Sequence, residues 1–127
     1  MVEQLKTFDN NVLAFTIIDG LTNTDEQLLQ KFFKIKLDQG FDQINILIKL
    51  DEYKFSKTSA KAFFDDILFA MRNYKKLGYL AIVGESSILK MLVEFDNLFY
   101  KNEKKGRLER YFDISEIKEA MAFVNPE

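Results

Sequence analysis

The stretch that decides the fold is Gln43-Ile44-Asn45-Ile46-Leu47-Ile48-Lys49-Leu50, followed by Asp51-Glu52 and a polar segment. Side chains alternate between the two faces of an extended chain. One face would therefore carry the apolar set Ile44, Ile46, Ile48 and Leu50, and the other Asn45, Leu47 and Lys49. This pattern predicts a strand with one buried face and one partly wet face. A helical pattern lies on either side of it, which is typical of a parallel β–α–β unit.

The polar residues Asn45 and Lys49 lead to a further expectation. A half-polar strand face suits an edge position in the sheet, or a sheet face that stays open around Leu47. A second copy of the chain could cover such an open face, so we expect a homodimer.

Composition narrows the function classes. A length of 127 residues predicts a single domain spanning residues 1–127, and a net charge of −2 argues against nucleic acid as a partner. The sequence contains no Cys and no His, which excludes thiol and Ser–His nucleophiles and the usual zinc ligands. The first residues lack the pattern of a signal peptide, and no apolar run is long enough to span a membrane, so we expect a cytoplasmic protein.

The remaining patterns predict the order ββαβαβαβα, which means a five-stranded, mostly parallel sheet flanked by four helices. The predicted strands are Leu5 to Phe8, Val12 to Ile18, the stretch quoted above, Tyr79 to Val83 and Leu108 to Phe112. The first helix would start in Thr22-Asn23-Thr24, carry an apolar stripe of Leu28, Leu29, Phe32, Phe33, Ile35 and Leu37, and end at Gly40. Asp113-Ile114-Ser115-Glu116 has the spacing of a capping box before the last helix. Both a sequential strand order and a central second strand fit this pattern.

Several segments resemble the SpoIIAA-like branch of the STAS fold. These are IDGLTNTDEQLL at the entry to the first helix, INILIKLDEY and YLAIVGES in two strands, and ERYFDISEIKEAMAFV at the end. The resemblance covers about residues 3 to 124 and implies a cytoplasmic regulatory or protein-interaction module without enzymatic activity. It implies no cofactor.

STAS domains of the anti-sigma-factor antagonist type are phosphorylated on a Ser in the loop before the second helix. The corresponding loop here, Glu52 to Ser59, contains Ser56, Thr58 and Ser59 but lacks the Asp-Ser-Ser-Gly pattern of those domains. The resemblance therefore implies a degenerate STAS domain without the phospho-Ser motif, with these three residues as candidates for contact with a protein partner.

An alternative function follows from the related CRAL-TRIO architecture, whose lipid carriers enclose an apolar cavity. Some of the 13 Phe residues would then line an apolar pocket instead of filling a packed core. This alternative is a carrier of an apolar small molecule or lipid, with pocket candidates Phe63, Phe64, Phe95 and Phe99. Close packing of the same residues in an ordinary core is the more common outcome.

Polar residues are expected at the carboxyl ends of the strands, where ligands of α/β sheets usually bind. The acidic members of this cluster are Asp19, Asp51, Glu52 and Glu85. They could bind a hard cation or a polar head group, but Asp and Ser at these positions more often cap helices. We therefore assign no metal site and no catalytic residue.

A basic cluster is expected at the opposite end of the domain, with Lys34 and Lys36 nearby. Its members are Arg72, Lys75, Lys76, Lys101, Lys104, Lys105 and Arg107. It could meet an acidic partner or an anionic lipid surface, but neutralisation of helix C-termini is the more common explanation of such residues.

Overall fold

A computed structural model describes residues 2–18, 22–51, 77–85, 90 and 109–126. The strands are β1 (Val2–Lys6), β2 (Val12–Ile18), β3 (Ile44–Asp51), β4 (Leu77–Gly84) and β5 (Glu109–Asp113). The helices are α1 (Asn23–Asp38) and α2 (Ile117–Val124), and a short 3-10 turn, Ile114–Glu116, precedes α2.

The five strands form one mixed sheet in the order β1-β2-β3-β4-β5. β1 runs antiparallel to β2, and the other three pairs are parallel. The predicted α/β class and mostly parallel sheet are therefore confirmed, and of the two strand orders that the pattern allowed the sequential one is found. The structure describes two of the four predicted helices, while the second and third predicted helices fall almost wholly outside the described residues. Lys90 alone represents the third, and it is helical.

α1 begins and ends where its sequence predicts. The Thr22 hydroxyl accepts a hydrogen bond from the Asp25 backbone N–H at 3.2 Å, and the Asp25 carboxylate accepts one from the Thr22 N–H at 3.0 Å. These two bonds close a capping box over N–H groups that have no partner within the helix. Beyond the helix Gly40 has a φ of +93°, a left-handed conformation that Gly adopts without strain.

The sheet separates two apolar layers. The layer under α1 contains Leu13, Phe15 and Ile17 of β2 and the four apolar residues at alternate positions of β3. The layer under α2 contains Val12, Ala14, Leu47, Ala81, Val83, Phe112, Ala120 and Val124. β2 is therefore covered on both faces, as its two apolar faces predict.

The partly wet face predicted for β3 is mostly buried, and the edge position suggested for this strand is wrong. β3 is the middle strand of the sheet, Leu47 is 0% exposed, and Asn45 is only 8% exposed because α2 covers this face. Only Lys49 is partly exposed. The open face that motivated a homodimer is therefore absent, and self-association remains a prediction without that support.

Asn45 is buried because its side-chain amide has two backbone partners. The amide nitrogen donates to the carbonyl of Val124 at 2.8 Å, and the amide oxygen accepts the N–H of Tyr79 at 2.8 Å. The pairing register of β3 and β4 shifts at this point, so that Gly78 and Tyr79 both lie opposite Asn45. The Asn45 amide therefore provides a hydrogen-bond partner for a backbone N–H at a β-bulge and for a carbonyl at the end of α2.

Replacing Asn45 with Ala should lower the free energy of unfolding by about 2–4 kcal/mol, because two buried backbone groups lose their partners. Urea denaturation followed by circular dichroism measures this change. Asn11→Ala is the matched control, because the Asn11 side chain donates to the Gln43 carbonyl at an exposed site. An Asn45→Ala variant no less stable than the control would contradict the role given to Asn45.

Gly78→Ala tests the same contact from the opposite strand. A Cβ at Gly78 would overlap the Asn45 amide oxygen, so we expect a loss of about 1–3 kcal/mol in the parent protein. In an Asn45→Ala background the space is free, and the loss should be smaller by at least about 0.5 kcal/mol. Strictly additive losses in the double-mutant cycle would show that the two sites are independent.

Candidate functional site

The parallel strands bring their carboxyl ends to one edge of the sheet. In the strand register Ile18 lies beside Asp51, and Gly84 lies beside Asp113. Because β3 is the middle strand, its last residue, Asp51, lies at the centre of this edge. We call this edge the carboxyl edge, defined by Ile18, Asp51, Gly84 and Asp113.

The structure places two of the predicted strand-end residues together. The backbone of Asp51 ends β3 at the carboxyl edge, and Glu85, which is exposed, directly follows β4 there. The other members of that cluster, Asp19 and Glu52, lie outside the described residues. So do the partner candidates Ser56, Thr58 and Ser59 and the pocket candidates Phe63, Phe64, Phe95 and Phe99. A carrier function based on those Phe residues therefore stays a prediction.

Asp113 also lies at the carboxyl edge, but its carboxylate is already used. One of its oxygens accepts the Ser115 backbone N–H at 3.0 Å and the Ser115 hydroxyl at 2.7 Å. The Glu116 carboxylate in turn accepts the Asp113 N–H at 3.0 Å, which completes the predicted capping box. The hydrogen bonds from Ser115 hold the pKa of Asp113 below its ordinary value. Asp113 is therefore a cap.

The described residues offer no group of three or more acidic, His or Cys side chains that could hold a metal ion. Asp113 caps the turn before α2, and the role of the predicted acidic cluster stays a prediction.

A second site, which the sequence did not predict, lies at the opposite end of the sheet. The turn between β1 and β2 and the last turns of α1 enclose a cleft of about 300 Å³. Its lining residues are Gln4, Thr7, Phe8, Asp9, Leu13, Phe32, Ile35, Lys36 and Gln39. We call it the turn cleft.

Lys36 is the central residue of the turn cleft. It is 6% exposed, and its ammonium donates to the carbonyl of Phe8 at 2.7 Å and to that of Asn10 at 2.5 Å. The ammonium also lies 5.8 Å from the centre of the Phe41 ring. Burial lowers the pKa of Lys36, and the nearby Asp9 carboxylate partly opposes this shift.

The expected positions of Ile35 and Lys36 are reversed. Ile35, placed in the apolar stripe, is 43% exposed, and Lys36, placed near the basic cluster, faces the core. The sequence did contain a signal for this, since Leu29, Phe33 and Lys36 follow the helical spacing of four and three residues. Of the other basic residues in that cluster, Lys34 is exposed and the rest lie outside the described residues.

A comparison with protein-family models matches residues 12–125 to the family described as SpoIIAA-like. The chain belongs to the SpoIIAA-like family. The resemblance seen in the sequence is thereby confirmed over nearly the whole chain. No curated protein and no solved structure matches the chain.

SpoIIAA-like membership indicates a STAS-type regulatory or interaction domain, a class that is generally non-enzymatic. STAS domains commonly bind other proteins. Among the described helices, none combines the length and apolar character needed to cross a membrane.

Lys36→Met should destabilise the protein by about 1–3 kcal/mol, because the carbonyls of Phe8 and Asn10 lose a buried donor while the apolar stem is retained. Urea denaturation again measures the change. Lys34→Met is the matched control, because Lys34 forms an exposed ion pair with Asp38 at 3.1 Å, and its loss should cost less than about 1 kcal/mol. Equal losses in the two variants would refute the structural role of Lys36.

Proposed function

We propose that this protein is a non-enzymatic cytoplasmic interaction module of the STAS type that has lost the phospho-Ser motif. It would act by presenting the segment that follows β3, with Ser56, Thr58 and Ser59, to a protein partner. The observation that carries the proposal is the place of β3 in the sheet. As the middle strand, β3 ends with Asp51 at the centre of the carboxyl edge.

The position of this edge at the carboxyl ends of parallel strands supports it over the rest of the described surface. Segments that follow the carboxyl ends of parallel strands are the usual carriers of function in α/β sheets, because they can vary without disturbing the sheet that holds them.

The absence of Cys from the sequence makes a site-specific test straightforward, because a single introduced Cys can carry a photocrosslinker. We expect the Ser56→Cys protein to crosslink a specific protein in extracts of its own cells. The Gln30→Cys protein, labelled on the exposed face of α1, should not. Mass spectrometry of the crosslinked product identifies the partner.

The purified partner then allows a quantitative test. A variant with Ser56, Thr58 and Ser59 all changed to Ala should bind it at least about tenfold more weakly than the parent, a loss of about 1.4 kcal/mol. The matched control changes three exposed residues of α1, Gln27, Gln30 and Lys31, to Ala and should bind like the parent. Full affinity in the first variant would disprove the proposed role of this segment.

A further inference from the structure

The turn cleft combines an apolar wall with hydrogen-bond donors. Phe8, Leu13, Phe32 and the exposed side chain of Ile35 provide the apolar surface. Gln4, Thr7 and Gln39 provide amide and hydroxyl groups that can donate. At about 300 Å³ the cleft stands at the lower end of the volumes that bind small molecules, and it is open to solvent on one side.

The ammonium of Lys36 is the distinctive group of this cleft. An ammonium has three N–H donors, and the carbonyls of Phe8 and Asn10 use two of them. Both of these acceptors are neutral. No carboxylate of the described residues lies within ion-pair distance of the ammonium, and Asp9 acts on it only through its charge. A buried cation with a remaining donor and only neutral acceptors is an energetically poor arrangement that a bound anion would improve.

We propose that the turn cleft binds a small monocarboxylate with an apolar body. Its carboxylate would accept the third N–H of Lys36, and its body would lie against Phe8, Phe32 and Leu13. A carboxylate matches the single cation and the amide donors at the rim, because each of its oxygens accepts more than one hydrogen bond.

The charges around the cleft favour a monoanion over a phosphate group. Asp9 is a lining residue with a charge opposite to that of Lys36, so a ligand with nearly two negative charges would increase its attraction to Lys36 and its repulsion from Asp9 by the same factor. Its desolvation cost would rise more steeply, with the square of the charge, so a single negative charge is favoured. A neutral apolar ligand of the same shape would leave the Lys36 donor without an acceptor. The cleft therefore favours a ligand that combines a single negative charge with a small apolar group.

This site is independent of the proposed partner surface. The turn cleft lies at the turn that precedes β2, whereas the carboxyl edge lies where β2 to β5 end, so the two occupy opposite ends of the sheet. Failure of one proposal would leave the other intact.

Phenylacetate is a suitable probe, and phenylacetamide is its neutral counterpart of nearly the same shape. We expect titration of the full chain with phenylacetate, followed by amide NMR, to give saturable shifts at Phe8, Lys36 and Gln39. Phenylacetamide should bind about tenfold more weakly, because a charge-assisted hydrogen bond is about twice as strong as a neutral one. No saturation by phenylacetate up to about 20 mM, or equal affinity for the two probes, would overturn the proposal.

Two variants at Ile35 test the location without removing Lys36. Ile35 is exposed at the rim, so both Ile35→Glu and Ile35→Gln should fold like the parent, which their amide spectra report directly. Both substitutions remove the same apolar side chain from the wall of the cleft, so Ile35→Gln measures that loss alone. Ile35→Glu should bind phenylacetate at least about tenfold more weakly than Ile35→Gln, because it adds charge repulsion. Equal affinity in the two variants would place any phenylacetate binding elsewhere and refute this assignment.

Discussion

The buried amide of Asn45 is the contact on which the arrangement of the layers depends. It joins three elements at once, because β3 carries it, β4 supplies the N–H of Tyr79, and α2 supplies the carbonyl of Val124. A polar group in the middle of an apolar layer is tolerated only when its hydrogen bonds are made, and an incorrect placement of α2 would leave them unmade. The amide therefore favours one position of α2 over the positions that apolar packing alone would allow.

A second set of polar contacts fixes the turn between β1 and β2. From α1, Lys36 binds the carbonyls of Phe8 and Asn10. From the end of α2, the Asn125 side chain accepts a hydrogen bond from the Asn10 amide at 2.7 Å. The two helices, which lie on opposite faces of the sheet, are thus both tied to the same turn. Hydrogen bonds between distant segments therefore stabilise this end of the domain, which also contains the turn cleft.

The two ends of the sheet consequently differ in character. The described contacts at the turn are polar links between distant segments, whereas the described contacts at the carboxyl edge are local caps such as Asp113 with Ser115. Local caps leave the neighbouring segment able to vary in sequence without loss of the fold. This contrast is consistent with a protein-binding surface at the carboxyl edge and with a small-molecule site of fixed shape at the turn.

Much of the fold follows directly from local sequence patterns. β2 has the predicted bounds, Val12–Ile18, and β3, predicted from Gln43 to Leu50, is found at Ile44–Asp51. The caps at Thr22 and Asp113 are both found. These features depend on neighbours within a few residues, where side-chain periodicity and capping chemistry act. β1 is less accurately predicted. The expected strand was Leu5 to Phe8, and the observed one runs from Val2 to Lys6. The prediction failed because the exposed, polar sequence of β1 has little periodicity.

The sequence alone therefore determined the order of the described elements, the alternation of the two sheet faces and the family. Only the tertiary structure decided whether the side chains of Asn45, Lys36 and Ile35 are buried and what they contact. Asn45 looked like part of a wet face because its partners, Tyr79 and Val124, are far away in the chain. Lys36 is buried because the carbonyls of a distant turn accept its hydrogen bonds, which displaces Ile35 toward solvent. A polar side chain is buried where distant backbone groups meet it, and periodicity carries no information about where those groups will be.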